Sequence, residues 1–490
     1  MHESLDKTIY RKITSNTVYS LKGSIVTNGS LFIMNLILSR LFPPLDLSLI
    51  FIVISITGIF MAISEMGIPQ AVTINLSERI SKSPSSGGGS DINSIIISSY
   101  MLGAMIGIIL MLFLFLSSNF ISSKVSSINI ASALKMSSIW ILASILLKIS
   151  QGVFNGFQKM KYSFFLNCIA EPLKFWVVIL ALVFGFSWKE VIWGWTLAYI
   201  VAFLACVFLL FIFLNKEKIP LVFNTTQCKG EMLQKGLLLF SPILGSFLVP
   251  YILNLILAKH EVSEVSYFAL SFSLTSVYFV IFNAFSLAFL PAATQLMVEK
   301  DKERLTNIVI VGIKYIGLGG FGILLMFYFF SGFILSNLYG SQYMKAQQVL
   351  ILLAFSVFFD IFKTICDPLL MATGRGGVVT VVEWIKVGII LMFSSFAIDR
   401  FGLRGAGIAL FVSFLTASSL KLFFIQRSLN IRLLRPLVGI GCLLSGLILY
   451  HFARIPIFIL IIWMGTIIYY FKLWVWSEVK LIWSLVRLSF

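Results

Sequence analysis

Runs of about twenty apolar residues, separated by short polar segments, recur along the whole chain. An α-helix needs about 20 such residues to cross the hydrocarbon core of a bilayer. Spans are predicted near Leu21–Leu41, Leu47–Met66, Ile92–Leu116, Ile130–Leu147, Ser163–Phe184 and Val191–Leu214. A second set of six follows at Met232–Ala258, Val265–Leu290, Leu305–Phe330, Ala346–Met371, Val378–Ile398 and Gly402–Phe424. Two more lie near Pro436–Phe452 and Ile455–Phe471. The pattern predicts an all-α integral membrane protein with about fourteen transmembrane helices. They form two pseudo-symmetric six-helix lobes, 1–215 and 232–427, joined by a linker at 216–231. Residues 428–490 add two C-terminal helices and a tail.

The division into two lobes rests on a repeat. Asn35-Leu36-Ile37-Leu38-Ser39-Arg40 is matched by Asn254-Leu255-Ile256-Leu257-Ala258-Lys259, each an apolar helical run ending in one cation. A second apolar run follows in each copy and closes on proline, at Ile68-Pro69-Gln70-Ala71-Val72-Thr73 and at Leu290-Pro291-Ala292-Ala293-Thr294. Duplication of a membrane bundle is the expected origin of such a pattern.

Composition agrees with this picture. Of 490 residues, 59% are hydrophobic and only 12% charged, which excludes an ordinary soluble core. The formal charge of +17 reflects where the loop cations lie. With both termini cytosolic, cytosolic segments hold nearly three times as many Lys and Arg as outer ones, which sets the orientation in a plasma membrane. No basic–aromatic stripe for nucleic acid accompanies that charge. The five cysteines are scattered and the three histidines lie far apart, so free thiols, no metal site and no cofactor are expected. Ser81–Asp91 reads as a flexible connector, and the sequon at Asn224-Thr225-Thr226 falls in the cytosolic linker. Trp474–Phe490 reads as an amphipathic helix on the membrane surface.

No nucleophile–base pair or phosphate-binding loop appears, so an enzyme is not expected. Gly317-Leu318-Gly319-Gly320-Phe321-Gly322 sits inside an apolar span, where small residues allow close helix packing. The candidate chemistry is the set of charges inside spans, each costing about 2.5–3.5 kcal/mol at mid-bilayer on insertion scales. Glu171 and Lys174 lie three apart, as do Glu383 and Lys386 in the counterpart span of the second lobe. Each pair shares a helix face, either as a structural ion pair or facing a cleft between the lobes. Asp360, Lys363 and Asp367 line another face, either as a self-satisfied charge ladder or as a cation relay. Arg40 and Lys259 either snorkel to the outer interface or face each other across an outward cavity and bind an anion. Lys148 and Lys314 extend that cationic lining.

The chain resembles the polysaccharide-export, Wzx-type O-antigen flippase family of the multidrug/oligosaccharidyl-lipid/polysaccharide superfamily. The carrying segments are Gln151–Gln158, Leu338–Ala346, Phe401–Ala409 and Phe289-Leu290-Pro291 ahead of Val298–Arg304. The resemblance implies two six-helix lobes around a central cavity, with two appended helices. It implies transfer of a lipid-linked oligosaccharide from the cytosolic to the outer leaflet by alternating access, with cationic cavity residues meeting the diphosphate and acidic sugars. Its partners would be the lipid-linked oligosaccharide, membrane lipids and a glycan polymerase or ligase complex. Two alternatives share the architecture: a cation-coupled exporter of small amphipathic compounds using Asp360, Asp367 or Glu65, and a flippase for a lipid-linked peptidoglycan precursor. A membrane scaffold for glycan assembly is the remaining class.

Overall fold

The computed structural model describes residues 22–23, 26–82, 89–125, 128–216, 229–299, 301–429, 433–453 and 456–473. The N-terminal tail, most of the Ser81–Asp91 connector, most of the 216–231 linker and the 474–490 tail, each given a reading above, lie outside the described residues.

The described chain is helical. It comprises α1 (26–41), α2 (Pro44–Glu65), α3 (Ile68–Lys82), α4 (Gly89–Val125), α5 (Ala131–Gly156), α6 (Met160–Phe184), α7 (Trp188–Lys216) and α8 (Lys229–His260). These are followed by α9 (Glu264–Val298), α10 (Lys302–Leu338), a 3-10 turn (Ser341–Ala346), α11 (Gln347–Asp360), α12 (Lys363–Ala372), α13 (Gly376–Phe401), α14 (Leu403–Leu429), α15 (Leu434–Ala453) and α16 (Ile457–Tyr470). Among the described residues, thirteen of the fourteen predicted spans each fall on one helix, and Ala346–Met371 falls on two. Among the described residues, ten helical segments are long and apolar enough to cross a membrane, and two shorter apolar helices, Pro436–His451 and Phe458–Tyr470, follow them. The chain is a multi-pass membrane protein.

Sequence accounts for several boundaries. Pro44 opens α2, where its missing N–H costs no helical bond, and Asp46 lies in the first turn, where it favours the helix dipole. Gly185 ends α6 in a left-handed conformation, and the Phe186 amide reaches back to the Ala181 carbonyl. The predicted span Leu47–Met66 ends where its helix does, and the predicted span Ala346–Met371 is broken. Met66 and Gly67 turn left-handed and separate α2 from α3, and a Cβ on Gly67 would lie 1.9 Å from the Gly236 carbonyl oxygen. The second repeat has no such break, since α9 continues through Pro291. The predicted span Ala346–Met371 is two helices. Between α11 and α12 the bonding tightens to the i→i−3 pattern, from the Phe362 amide to Phe359 and from the Thr364 amide to Ile361.

By Cα proximity the chain forms two compact units. Unit 1 contains Met1–Ser273, Ser336–Ala346 and Ile390–Ala406; unit 2 contains Leu274–Leu335, Gln347–Ile389 and Gly407–Phe490. The core of unit 1 joins Ile68, Val72 and Leu76 of α3 to Ile149, Val153 and Phe154 of α5 and to Cys206 and Phe213 of α7. Large apolar side chains such as Phe113 and Leu116 of α4 stand exposed, as a lipid-facing helix requires.

The duplication is visible inside unit 1. Asn35 of α1 donates to the Ser273 hydroxyl of α9 at 2.9 Å, and its counterpart Asn254 of α8 donates to the Ser55 hydroxyl of α2 at 2.8 Å. Nearby, the Ser48 hydroxyl accepts the Ser266 amide at 2.9 Å and donates to the Ser263 carbonyl at 3.1 Å. The Gln342 amide donates to the Ser39 carbonyl at 3.0 Å. Hydrogen bonds thus join the ends of α1 and α2 to α9 and to the turn after α10.

Candidate functional site

Unit 1 encloses a cavity of about 250 Å3 between α1, α2, α5, α6, α7 and α8. Its polar lining comprises Glu65 from α2, Lys148 from α5 and Lys174 from α6, and its aromatic lining includes Trp140, Trp195, Tyr199, Phe240, Phe247 and Tyr251. Gly58 admits α8 at this point, because a Cβ there would lie 2.8 Å from the Tyr251 ring.

The lysines differ in how firmly they are held. Lys174 lies 2.9 Å from Glu171 on its own helix and 4.9 Å above the Tyr199 ring. Its backbone carbonyl accepts the Trp195 indole N–H at 3.1 Å, which fixes α6 to α7. The Lys174 and Glu171 side chains are 12% and 16% exposed, so the pair is largely shielded from solvent. Lys148 lies 3.3 Å from Glu65 with its side chain 46% exposed, and an ammonium so placed has donors left for a ligand. Trp140 donates to Thr196 at 2.8 Å and stacks on Tyr199 at 5.5 Å, which holds the aromatic wall in one arrangement. Cations beside fixed aromatic faces suit a ligand carrying phosphate or a charged sugar on an apolar-faced ring.

Unit 2 holds the second cluster. Lys363 pairs with Asp360, and Lys386 lies 3.7 Å from Asp360 and also pairs with Glu383. Lys421 lies 2.6 Å from Glu383 and 2.7 Å from Asp367. The six charges alternate in sign and begin and end on α12, at Lys363 and Asp367. Asp360, Glu383, Lys386 and Lys421 are each 2% exposed or less. At the α11–α12 break the Ser418 hydroxyl of α14 donates to the Phe359 carbonyl, and Ser413 donates to the Lys386 carbonyl at 3.0 Å. Bonds of this kind are what make irregular backbone tolerable at membrane depth.

The structure revises several sequence expectations. Lys174 lines the unit 1 cavity with Glu171 paired to it, whereas the counterparts Glu383 and Lys386 are buried in unit 2, where Asp360 and Lys421 complete their pairing. Lys386 therefore has no open face for a substrate. Lys314 is 6% exposed and donates to the Lys472 carbonyl at 3.0 Å, so its ammonium is buried and tethered to the backbone. Arg40 does not line the cavity: it donates to the Leu338 carbonyl at 3.0 Å and to the Asn337 carbonyl, capping the end of α10. Lys259 stands exposed in the last turn of α8. The ladder expected from Asp360, Lys363 and Asp367 is present but incomplete without Lys421, which sequence reasoning did not single out. Its place within the Gly402–Phe424 apolar run was the available signal. The aromatic wall had none, since Trp and Tyr are frequent in membrane helices.

The sequence pattern of the family described as "Polysaccharide biosynthesis protein" matches residues 13–297, more than half the chain. The chain belongs to that family. A capsular polysaccharide biosynthesis protein, CapF of Staphylococcus aureus, is 29% identical over 149 residues, which are 30% of this chain. The match spans 37% of that relative's length. Among solved structures, the lipid II flippase MurJ in an inward closed conformation superposes with a TM-score of 0.65 at 13% identity, covering 93% of this chain and 98% of that one. An inward-facing multidrug resistance MATE transporter of the MOP superfamily gives 0.63 at 13% identity, covering 85% and 94%. A MOP superfamily transporter from Pyrococcus furiosus gives 0.60 at 14% identity, covering 86% and 96%. These likenesses show that the chain shares the fold of those solved structures.

Proposed function

We propose that this protein moves a lipid-linked oligosaccharide from the cytosolic to the outer leaflet of the cell membrane, for assembly of a surface polysaccharide or glycoconjugate. The observation that carries the reading is the unit 1 cavity, which sets Lys148 and Lys174 beside an aromatic wall in a protein of the polysaccharide biosynthesis family. Lys148 and Lys174 would meet the diphosphate, the sugars would lie along Trp140 and Tyr199, and the polyprenyl tail would stay in lipid. Arg40 and Lys259 would serve the outer end of the route, where Arg40 caps α10.

In this reading both termini are cytosolic, as the loop charge supports. Residues 1–215 and 232–427 act as lobes that rock about the 216–231 linker, with 428–490 appended. The hydrogen bonds from Asn35, Asn254, Ser48 and Gln342 close the outer side in the present state. Asp360, Lys363, Asp367, Glu171 and Glu383 are all paired here, which supports a passage that does not take up a coupling ion at these groups. A glycan polymerase or ligase is the expected recipient of the exported lipid.

The test is leaflet exposure of a polyprenyl-diphosphate-linked oligosaccharide in proteoliposomes. Wild-type transfer that falls tenfold or more in Lys148→Ala/Lys174→Ala supports both the function and the site. Transfer kept by that variant retains the function and discards the site. Absence of wild-type transfer with every glycan offered favours the small-molecule exporter.

A further inference from the structure

The unit 2 ladder holds three carboxylates and three ammoniums, and its members come from four helices: Asp360 of α11, Lys363 and Asp367 of α12, Glu383 and Lys386 of α13, and Lys421 of α14. Lys363 and Lys386 each have a carboxylate partner three residues earlier, at Asp360 and Glu383. Lys421 differs, because both of its partners lie on other helices. Its ammonium sits 2.7 and 3.0 Å from the two oxygens of Asp367 and 2.6 Å from Glu383. Two carboxylates from separate helices converging on one positive charge at these distances form the donor set of a monovalent-cation site. Removal of Lys421 leaves three negative and two positive charges, a deficit of one cation in a place 2% exposed.

We infer that the Lys421 ammonium is a built-in cation, occupying a carboxylate-lined site between α12, α13 and α14 that takes a small free cation when the lysine side chain is removed. The site's architecture is that of a bound-ion site, but its ion is covalently attached. The protein's packing at the α11–α12 break is therefore independent of the ions in solution. This inference does not rest on the flippase reading, since its readout is the folded protein itself. It differs from a role of side-chain volume alone, because neutral propanol fills the same space without supplying the charge.

The experiment is chemical rescue of Lys421→Ala in detergent or nanodiscs, read by thermal unfolding. The excised atoms Cγ, Cδ, Cε and Nζ correspond to n-propylammonium. Wild-type Tm is expected to be the same in sodium, potassium and choline buffers. Lys421→Ala is expected to melt roughly 5 °C or more lower in choline. n-Propylammonium is expected to restore most of that loss at roughly millimolar concentration, with ethylammonium and methylammonium progressively weaker and tetramethylammonium inert. Restoration by uncharged propanol to the same extent would show that only volume was missing, and would overturn the proposal. So would a wild-type Tm that depends on sodium or potassium, or a variant that no alkylammonium stabilises. If the single variant does not fold alone, it is purified in n-propylammonium and dialysed into choline: loss of the fold on dialysis supports the proposal, and a variant that does not fold even with n-propylammonium overturns it.

Discussion

Asn35 and Asn254 hold matching places in the two repeats, and each donates its side-chain amide to a serine of the opposite repeat, at 2.9 Å to Ser273 and 2.8 Å to Ser55. The acceptors correspond as well: Ser55 follows Asn35 by 20 residues, and Ser273 follows Asn254 by 19. Hydrogen bonds between membrane helices contribute on average about 0.6 kcal/mol, and at most about 1.7. Asn35→Ala and Asn254→Ala should each destabilise by about 1 kcal/mol in reversible unfolding. Asn35→Ala/Ser273→Ala should lose little more than Asn35→Ala alone, because one bond cannot be broken twice. Full additivity of those two substitutions would show that the pair is not coupled.

Arg40 serves as a cap in this structure. Arg40→Ala leaves the carbonyls of Asn337 and Leu338 without their donor and should cost about 0.5–1.5 kcal/mol of stability, since the site is exposed to competing water. Oligosaccharide transfer should survive this change better than Lys148→Ala/Lys174→Ala. Equal loss in the proteoliposome assay would make Arg40 as important to the substrate route as the cavity lysines.

Gly67 combines a left-handed backbone with a close approach to Gly236. Gly67→Ala must separate α3 from α8 as well as strain its own backbone, and should cost about 3 kcal/mol or more. Gly185→Ala shares the positive φ but has no atom within 4 Å of its added Cβ, so it should cost about 1 kcal/mol. Melting curves of the two variants side by side separate crowding from backbone strain.

Glu65 competes for Lys148. Glu65→Gln should raise the affinity of the purified protein for inorganic diphosphate about 2- to 5-fold, the range expected when a half-exposed ion pair no longer holds the ammonium. Calorimetry or microscale thermophoresis reads this directly, and unchanged affinity would place the anion elsewhere.

Exporting a diphosphate moves negative charge out of a negative-inside cell. At about −100 mV, two such charges gain roughly 4–5 kcal/mol, enough to drive accumulation without ATP. Imposing a potential of that sign on proteoliposomes should speed outward transfer, and collapsing it should abolish the gain. Transfer indifferent to the potential would refute this energetic account.

Much of the architecture was legible because membranes impose a simple code. A span must be apolar for about 20 residues, and the repeat at Asn35 and Asn254 needed only matching order. Ion pairs three apart on one helix were equally readable, as Glu171–Lys174 shows. Illegible were contacts whose partners lie far apart in sequence. Lys421 meets residues 54 and 38 positions earlier, and Arg40 caps carbonyls about 300 positions later. The break after Asp360 lies a turn or more ahead of Pro368, among ordinary helix residues, Ile361 and Phe362, and the Ser418 hydroxyl meets the Phe359 carbonyl beside them.

The reciprocal asparagine–serine contact has a consequence for assembly. It is isologous in the sense used for two-fold dimers: each repeat presents the same donor and the same acceptor to the other. A fragment of residues 1–215 therefore carries both halves of the bond, Asn35 and Ser55, and is equipped to pair with a second copy of itself.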